Sequence, residues 1–282
     1  MGTRRTFLIE AANVRGVHVD LDDVWQSTLA RADYADWVLP WLGQAQAAVA
    51  LLTATIKFDG RLSLQVKGGG PLQLLVAQAN ADGSLRATAR TLGGGEGLNF
   101  KQAVGDSAQV ALTLSQRRGD DYQGVVALDT DALGDALAGY FALSEQLATQ
   151  FWLGADATRC RGLLLQRLPG ASEDTDGWQR VQQLASTLFE EELLSIDADV
   201  LVNRLFHEED VRLFDPSDML FRCGCSRERT AAMVRSLGHE DVTALLQEQG
   251  GEVLVDCEFC HQQYRFDGDD VAALFADQDT SE

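Results

Sequence analysis

Hydrophobic and polar positions along the chain follow two periods, and the switches between them outline the architecture. From Phe7 to about Val19 the period is two, and Val14-Arg15-Gly16-Val17-His18-Val19 predicts a strand, with His18 a half-exposed strand residue and not a ligand. Asp20 or Asp22 is placed to cap a helix through Val24, Trp25 and Leu29. Pro40 breaks that pattern, and Trp41 to Ile56 resumes as an alanine-rich apolar helix; Trp25, Trp37 and Trp41 read as packing residues. Period two returns from Lys57. Segments Leu62–Val66, Leu72–Ala79, Leu85–Thr91, Gln109–Ser115 and Tyr122–Leu128 predict an antiparallel meander, with Gly68-Gly69-Gly70-Pro71, Asn80–Gly83 and Gly93–Gly97 as its turns.

Asp129-Thr130-Asp131 then caps a helix containing Leu133, Leu137 and Tyr140-Phe141 and ending near Thr149, followed by strands at Phe151–Leu153 and Arg161–Leu168 with Cys160, a small buried hydrophobe, between them. The polar, acidic run Ala171–Gly177 marks a boundary. Beyond it Trp178, Val181, Leu184, Leu188, Leu193, Leu194, Val200, Leu201 and Leu205 recur at helical spacing among acidic clusters such as Glu190-Glu191-Glu192 and Glu208-Glu209-Asp210. These helices are expected to pack on the preceding domain, with like-charge neighbours weakening them by a few tenths of a kcal/mol per pair. From Phe221 onward Ser226 caps one helix, Glu240–Gln249 forms another closed by Gly250-Gly251, and Glu252–Asp256 pairs with Gln263–Phe266. Asp267 or Asp269 caps the last helix, Val271–Phe275. The expected fold class is α+β: an antiparallel-sheet and helix core domain over 1–170, an acidic helical linker over 171–220, and a small C-terminal metal-binding domain over 221–282.

Composition narrows the function. A length of 282 residues and 45% hydrophobic content suit one large domain and one small one. A formal charge of −20 repels a phosphate backbone and an anionic bilayer, so neither nucleic acid nor membrane is an expected partner. The first ten residues lack an apolar run of signal-peptide length, and Ala45–Ile56 is too short to span a bilayer. The cytoplasm is therefore the expected compartment, where thiols stay reduced.

Four of the five cysteines form two tight pairs, Cys223-Gly224-Cys225 and Cys257-Glu258-Phe259-Cys260. Each pair can converge on one cation, and two pairs make the four-sulfur tetrahedron that Zn²⁺ favours. Once metal is lost, each pair can also close on itself as a local disulfide, the Cys-x-Cys one with more strain. Metal binding supplies the folding free energy of so small a module, so thiol oxidation would act as a switch. Most four-thiolate zinc sites are structural only, which leaves a fixed protein-interaction module without redox response as the alternative. His239 and His261 are spare ligand candidates, superfluous beside four thiolates. Cys257–His261 also fits a haem-attachment pattern, but this leaves Cys223 and Cys225 unexplained and belongs to exported proteins. A thiol-disulfide oxidoreductase using Cys257 and Cys260 would need a βαβ context that the pattern lacks. Neither glycine cluster opens a helix of a βαβ unit or precedes Gly-Lys-Ser/Thr, which argues against nucleotide binding.

The chain resembles the 33-kDa heat-shock protein family of redox-regulated holdase chaperones. Phe221-Arg222-Cys223-Gly224-Cys225-Ser226-Arg227-Glu228-Arg229, then Cys257-Glu258-Phe259-Cys260 and Tyr264-Arg265-Phe266, carry the resemblance. Lys57–Arg61, Tyr140-Phe141 with Ser144-Glu145-Gln146, Leu163–Gly170 and His207–Arg212 support it. It implies no catalytic residues and one Zn²⁺ per chain in the reduced state, held by Cys223, Cys225, Cys257 and Cys260. It further implies that peroxide-type oxidants form the disulfides Cys223–Cys225 and Cys257–Cys260 and release zinc. The C-terminal module and linker then unfold and bind unfolding client proteins without ATP. A reduced monomer, dimerisation on oxidation and hand-over of clients to ATP-dependent chaperones are further implications.

Overall fold

The period-two segments become strands of one large sheet. The computed structural model describes residues 1–170 and 174–276 and divides into two compact units, Met1–Arg222 and Cys223–Glu282. In the first unit, β1 (Gly2–Ile9) and β2 (Val14–Asp20) form a hairpin followed by α1 (Asp22–Leu29) and α2 (Leu39–Leu52). Pro40 starts α2 instead of interrupting it, because a first-turn residue has no intrahelical N–H bond to lose. Next come β3 (Gly60–Lys67), β4 (Leu72–Asn80), β5 (Ser84–Thr91), α3 (Phe100–Val104), β6 (Gln109–Gln116) and β7 (Tyr122–Ala127). They are followed by α4 (Leu133–Ser144), β8 (Thr149–Ala155), β9 (Cys160–Arg167), α5 (Gly177–Ala185), α6 (Glu190–Ser195), α7 (Ala198–Phe206), β10 (Val211–Leu213) and β11 (Ser217–Phe221).

The 11-stranded sheet runs β7-β6-β3-β4-β5-β11-β1-β2-β9-β8, with β10 also beside β1. Every pairing is antiparallel except that of β11 with β5. The expected five-strand meander holds for β3-β4-β5 and for the β6-β7 hairpin, and fails between β5 and β6. β6 returns to the other side of β3, pairing Gly60 with Gln116 and Lys67 with Gln109. Gly93–Gly97 is therefore not a hairpin turn: it leads into α3, and β6 then runs antiparallel to β5, so no βαβ unit results. Gly68–Gly70 does turn β3 into β4, and a Cβ at Gly68 would lie 2.1 Å from the Val104 carbonyl oxygen.

The two faces of the sheet bury different cores. Val17, Val19 and Leu164 point toward α2 and the main core. Phe7, Ile9, Val14, Leu163 and Leu165 point the other way, onto Val181, Leu201, Leu205 and Phe206 of α5 and α7. The acidic helices thus cover one face of the first unit. The boundary expected at 170/171 falls on residues 171–173, outside the described residues. The stretch read as an acidic helical linker also contains β10 and β11, and β11 joins β5 to β1. Strands of three and five residues are too short to show a period.

Arg161 fastens the helices to the sheet, donating from Nη1 to the Ile196 carbonyl at 2.8 Å and pairing through Nη2 with Asp20 and Asp22 at 2.9 and 3.0 Å. Arg5 pairs with Asp199 of α7 at 3.2 Å. His18 lies between them on the same face, opposite Arg5 and Leu163. It is not the half-exposed residue the alternation predicts: 1% of it is exposed, and neither ring nitrogen has a hydrogen-bond partner. Coverage by helices distant in sequence buries it. Desolvation, aided by the Arg161 charge, lowers its pKa from 6.5 to about 3. The unfolded chain therefore binds a proton that the fold refuses, so the stability is complete above pH 6.5 and is lost as pH falls toward 3. Asp20, whose pKa burial raises, opposes this only in the carboxylate range. The first unit should lose about 1.5–2 kcal/mol between pH 6.5 and pH 5, and His18→Leu should flatten that slope. Urea unfolding at the two pH values measures both; an equal slope in parent and variant counts against His18.

The second unit holds α8 (Arg227–Ser236), α9 (His239–Glu248), β12 (Glu252–Asp256), β13 (Gln263–Asp267) and α10 (Gly268–Phe275). Its residues begin at Cys223, and Phe221 lies in β11 opposite Leu85. Ser226 caps α8 and Asp267 caps α10, as their positions predict. The buried core is small: Val234, Val242, Val253, Phe266, Val271 and Phe275.

Candidate metal centre

The β12–β13 hairpin pairs Asp256 with Gln263, and its loop carries Cys257 and Cys260. Cys257 N–H donates to the Gln262 carbonyl and His261 N–H to that of Cys257, with His261 at φ 54, closing a tight knuckle. Backbone N–H groups of Phe259 and Cys260 point at the Cys257 sulfur, and that of Gln262 at the Cys260 sulfur. Cys223 and Cys225 lie just before α8, whose Arg229 donates back to the Gly224 carbonyl at 2.5 Å. Arg227 ties the start of α8 to the hairpin and α10, donating to the Arg265 carbonyl and to Asp270, each at 2.7 Å.

These elements bring all four sulfurs within 4.8 Å of one another. Cys223 and Cys257 sulfurs are 3.5 Å apart, and those of Cys225 and Cys260 are 3.3 Å apart. A zinc tetrahedron with Zn–S bonds near 2.3 Å needs sulfurs about 3.8 Å apart, so the set fits one such ion. Desolvation raises the thiol pKa of both Cys257 and Cys260; the other three sulfurs add to the rise at Cys260, whereas at Cys257 the Cys223 sulfur raises the pKa and the Cys260 sulfur lowers it. Tyr264 is pushed up to about 12, first by its hydrogen bond with Cys225. Four thiolates crowded here demand a compensating cation, while the backbone N–H groups on Cys257 and Cys260 are those a metal thiolate uses. The cluster can hold a metal ion.

The spare histidines lie outside the cluster. His239 stacks edge-on against Phe275 at 5.1 Å, and His261 is exposed on the knuckle. Cys160 is fully buried, donates to the Gly43 carbonyl at 3.2 Å, and has a pKa raised by burial, as suits an inert core thiol. The sequence did not expose the anchor of Arg161 with Asp20 and Asp22; its one signal is the Asp-x-Asp pair, which reads first as a helix cap. Among the described residues no helix is long and apolar enough to cross a membrane.

An eleven-stranded sheet covered by helices, followed by a small module with four clustered thiols that can hold a metal ion, defines a two-unit α+β protein. The chain belongs to the Hsp33 family, whose model, described as "Hsp33 protein", matches residues 3–267. It is 46% identical to the 33 kDa chaperonin of Azotobacter vinelandii over 96% of this chain and 93% of the relative. It is 45% identical to that of Ectopseudomonas mendocina over 96% and 94%. The fold matches the crystal structure of the 33 kDa chaperonin from Thermotoga maritima with a TM-score of 0.86 at 20% identity, covering 98% of each chain. Family membership supports a chaperone role.

Proposed function

We propose that this protein is an ATP-independent holdase chaperone, switched on by oxidation of Cys223, Cys225, Cys257 and Cys260, with one Zn²⁺ per chain in the reduced state. The observation that carries the reading is the convergence of these four sulfurs within 4.8 Å in a unit with few buried apolar residues. Zinc, when bound, supplies the free energy that holds the unit folded. Oxidation joins Cys223 to Cys225 and Cys257 to Cys260. Forming each S–S bond from two zinc-bound thiolates releases two electrons, which, with two protons taken from solvent, reduce one hydrogen peroxide to two waters. Sulfurs also lie close across the pairs, Cys223 to Cys257 at 3.5 Å and Cys225 to Cys260 at 3.3 Å. Bonds across the pairs would staple the fold shut, however, whereas local bonds place no restraint on the hairpin or α8. Only local partners also remain neighbours as the unit opens, because one or two residues separate them.

Unfolding of the second unit, followed by release of α5–α7 from the sheet, would expose Phe7, Leu165, Val181 and Leu201, an apolar surface suited to unfolding clients. The excess negative charge keeps such complexes soluble. In this reading the protein works in the cytoplasm, dimerises on oxidation, and passes clients to ATP-dependent chaperones. The test is light scattering from a heat-unfolding client, with zinc content and free thiols measured on the same sample. Suppression only after peroxide, without ATP and with zinc released, is expected; equal suppression by reduced and oxidised protein refutes the switch and leaves a structural zinc module.

A further inference from the structure

Two segments that support the family resemblance, Lys57–Arg61 and Tyr140-Phe141 with Ser144-Glu145-Gln146, play no part in the four-cysteine cluster. They meet in the first unit at a cavity of about 510 Å³, between the end of α2, β6 and the C-terminal end of α4. Its walls mix apolar side chains, Ile56, Leu112, Leu114 and Phe141 among them, with the polar Lys57, Glu145 and Gln166. At one side Tyr122 and Tyr140 hydroxyls each donate to Glu145 Oε1 at 3.1 Å. The wall turns at Gln146, which holds a left-handed φ of 55, a strained backbone for a residue other than glycine.

The cavity lies beside the outermost strand of the sheet. No strand of the described residues lies beyond β7, and its Tyr122 and Val125 are 52% and 50% exposed. Leu128 N–H donates to the Ala108 carbonyl, which fixes the phase of the ladder. Inward-pointing residues alternate along an antiparallel strand. Tyr122, Gly124 and Val126 therefore direct their backbone groups at β6, and Gln123, Val125 and Ala127 direct theirs away from the sheet. At the opposite edge, Phe151, Trp152 and Leu153 of β8 are at least partly buried, under α4 and α6.

We infer that the outer edge of β7, together with this cavity, is a docking site for an extended polypeptide segment carrying a large apolar side chain. A small apolar molecule would use the cavity and ignore the backbone groups beside it. An extended chain satisfies both: main-chain hydrogen bonds along Gln123, Val125 and Ala127, and burial of one side chain against Leu114 and Phe141. Unfolding proteins present such segments, so the occupant is a client chain, an identity that rests on the holdase reading. Because the edge belongs to the first unit, single segments bind it weakly in both redox states. Oxidation adds the apolar surface beneath α5–α7, and two linked contacts hold a client far more tightly than one.

The probe is a short synthetic peptide of alternating threonine and valine with one central phenylalanine, added to the reduced full-length protein. Amide exchange at Gln123, Val125 and Ala127 should slow about tenfold at saturation, the worth of one added hydrogen bond. Val125→Pro removes an outward donor without breaking the ladder to β6, and should weaken peptide binding about tenfold. Ser144→Trp, at an exposed position on the cavity rim, fills the cavity, leaves the edge intact, and should also weaken binding. After peroxide, both variants should release zinc like the parent yet suppress client aggregation less. Absence of protection along β7, or parental affinity in both variants, overturns the site. Protection along β7 with no suppression by the oxidised parent would retain the peptide site and sink the holdase reading.

Discussion

Stripping the metal from the reduced protein is expected to unfold residues 223–276 and leave strands β1–β9 folded. Six buried side chains form the core of the second unit, among them only two aromatics, Phe266 and Phe275. Two short strands and three helices cannot offset their ordering entropy on so little buried surface. Structural zinc sites carry apparent binding free energies of about 10–16 kcal/mol near neutral pH, more than a module of this size gains from burial. Cys257→Ser, which removes one ligand and leaves three sulfurs, should weaken zinc binding and favour the open state even in reducing buffer. Amide exchange resolves the two units. With chelator, α8–α10 and the β12–β13 hairpin should lose protection while β1–β9 keep theirs. Persistent protection of Val253 and Phe266 in metal-free protein would show that the module folds without the ion, and the proposed switch would then have no lever.

Much of this centre is legible in the sequence because chelation is local. Cys-x-Cys and Cys-x-x-Cys fix which sulfurs can converge, and Ser226 and Asp267 announce the helices that hold them. The strands β3–β5 are legible for a similar reason, since each alternates alone. What escapes is whatever depends on distant coverage. Gly93–Gly97 has turn chemistry whether the chain folds back or crosses to a new edge, and only the pairing of β6 with β3 decides. Val14 to Val19 alternate in the same way whether one face or both are covered, so the burial of His18 by α5–α7 is invisible locally. β10 and β11 owe their strand conformation to the edges of β1 and β5 and not to their own pattern.

Arg161→Ala is expected to free the acidic helices without any oxidant. Its side chain is 8% exposed, and its guanidinium reaches Asp20, Asp22 and the Ile196 carbonyl between α6 and α7. The substitution leaves two carboxylates side by side without their cation and a half-buried carbonyl without its donor. Removing one member of a buried ion pair costs about 3–5 kcal/mol, with a lower value expected here because Asp20 and Asp22 are 30% and 29% exposed. Neighbouring anchors do not replace it: Arg159 holds only the Leu194 carbonyl, and the Arg5–Asp199 pair sits at the surface. Amide exchange across Leu193–Phe206 should quicken by about two orders of magnitude, the equivalent of roughly 3 kcal/mol, while β3–β7 stay protected. Arg161→Lys keeps the charge but cannot span both carboxylates and the carbonyl, so it should fall between parent and alanine variant. In the holdase reading, the reduced alanine variant should suppress client aggregation with zinc still bound, which separates release of the helices from loss of metal. Unchanged exchange in these helices would mean that their apolar contacts with Phe7, Leu163 and Leu165 suffice to hold them.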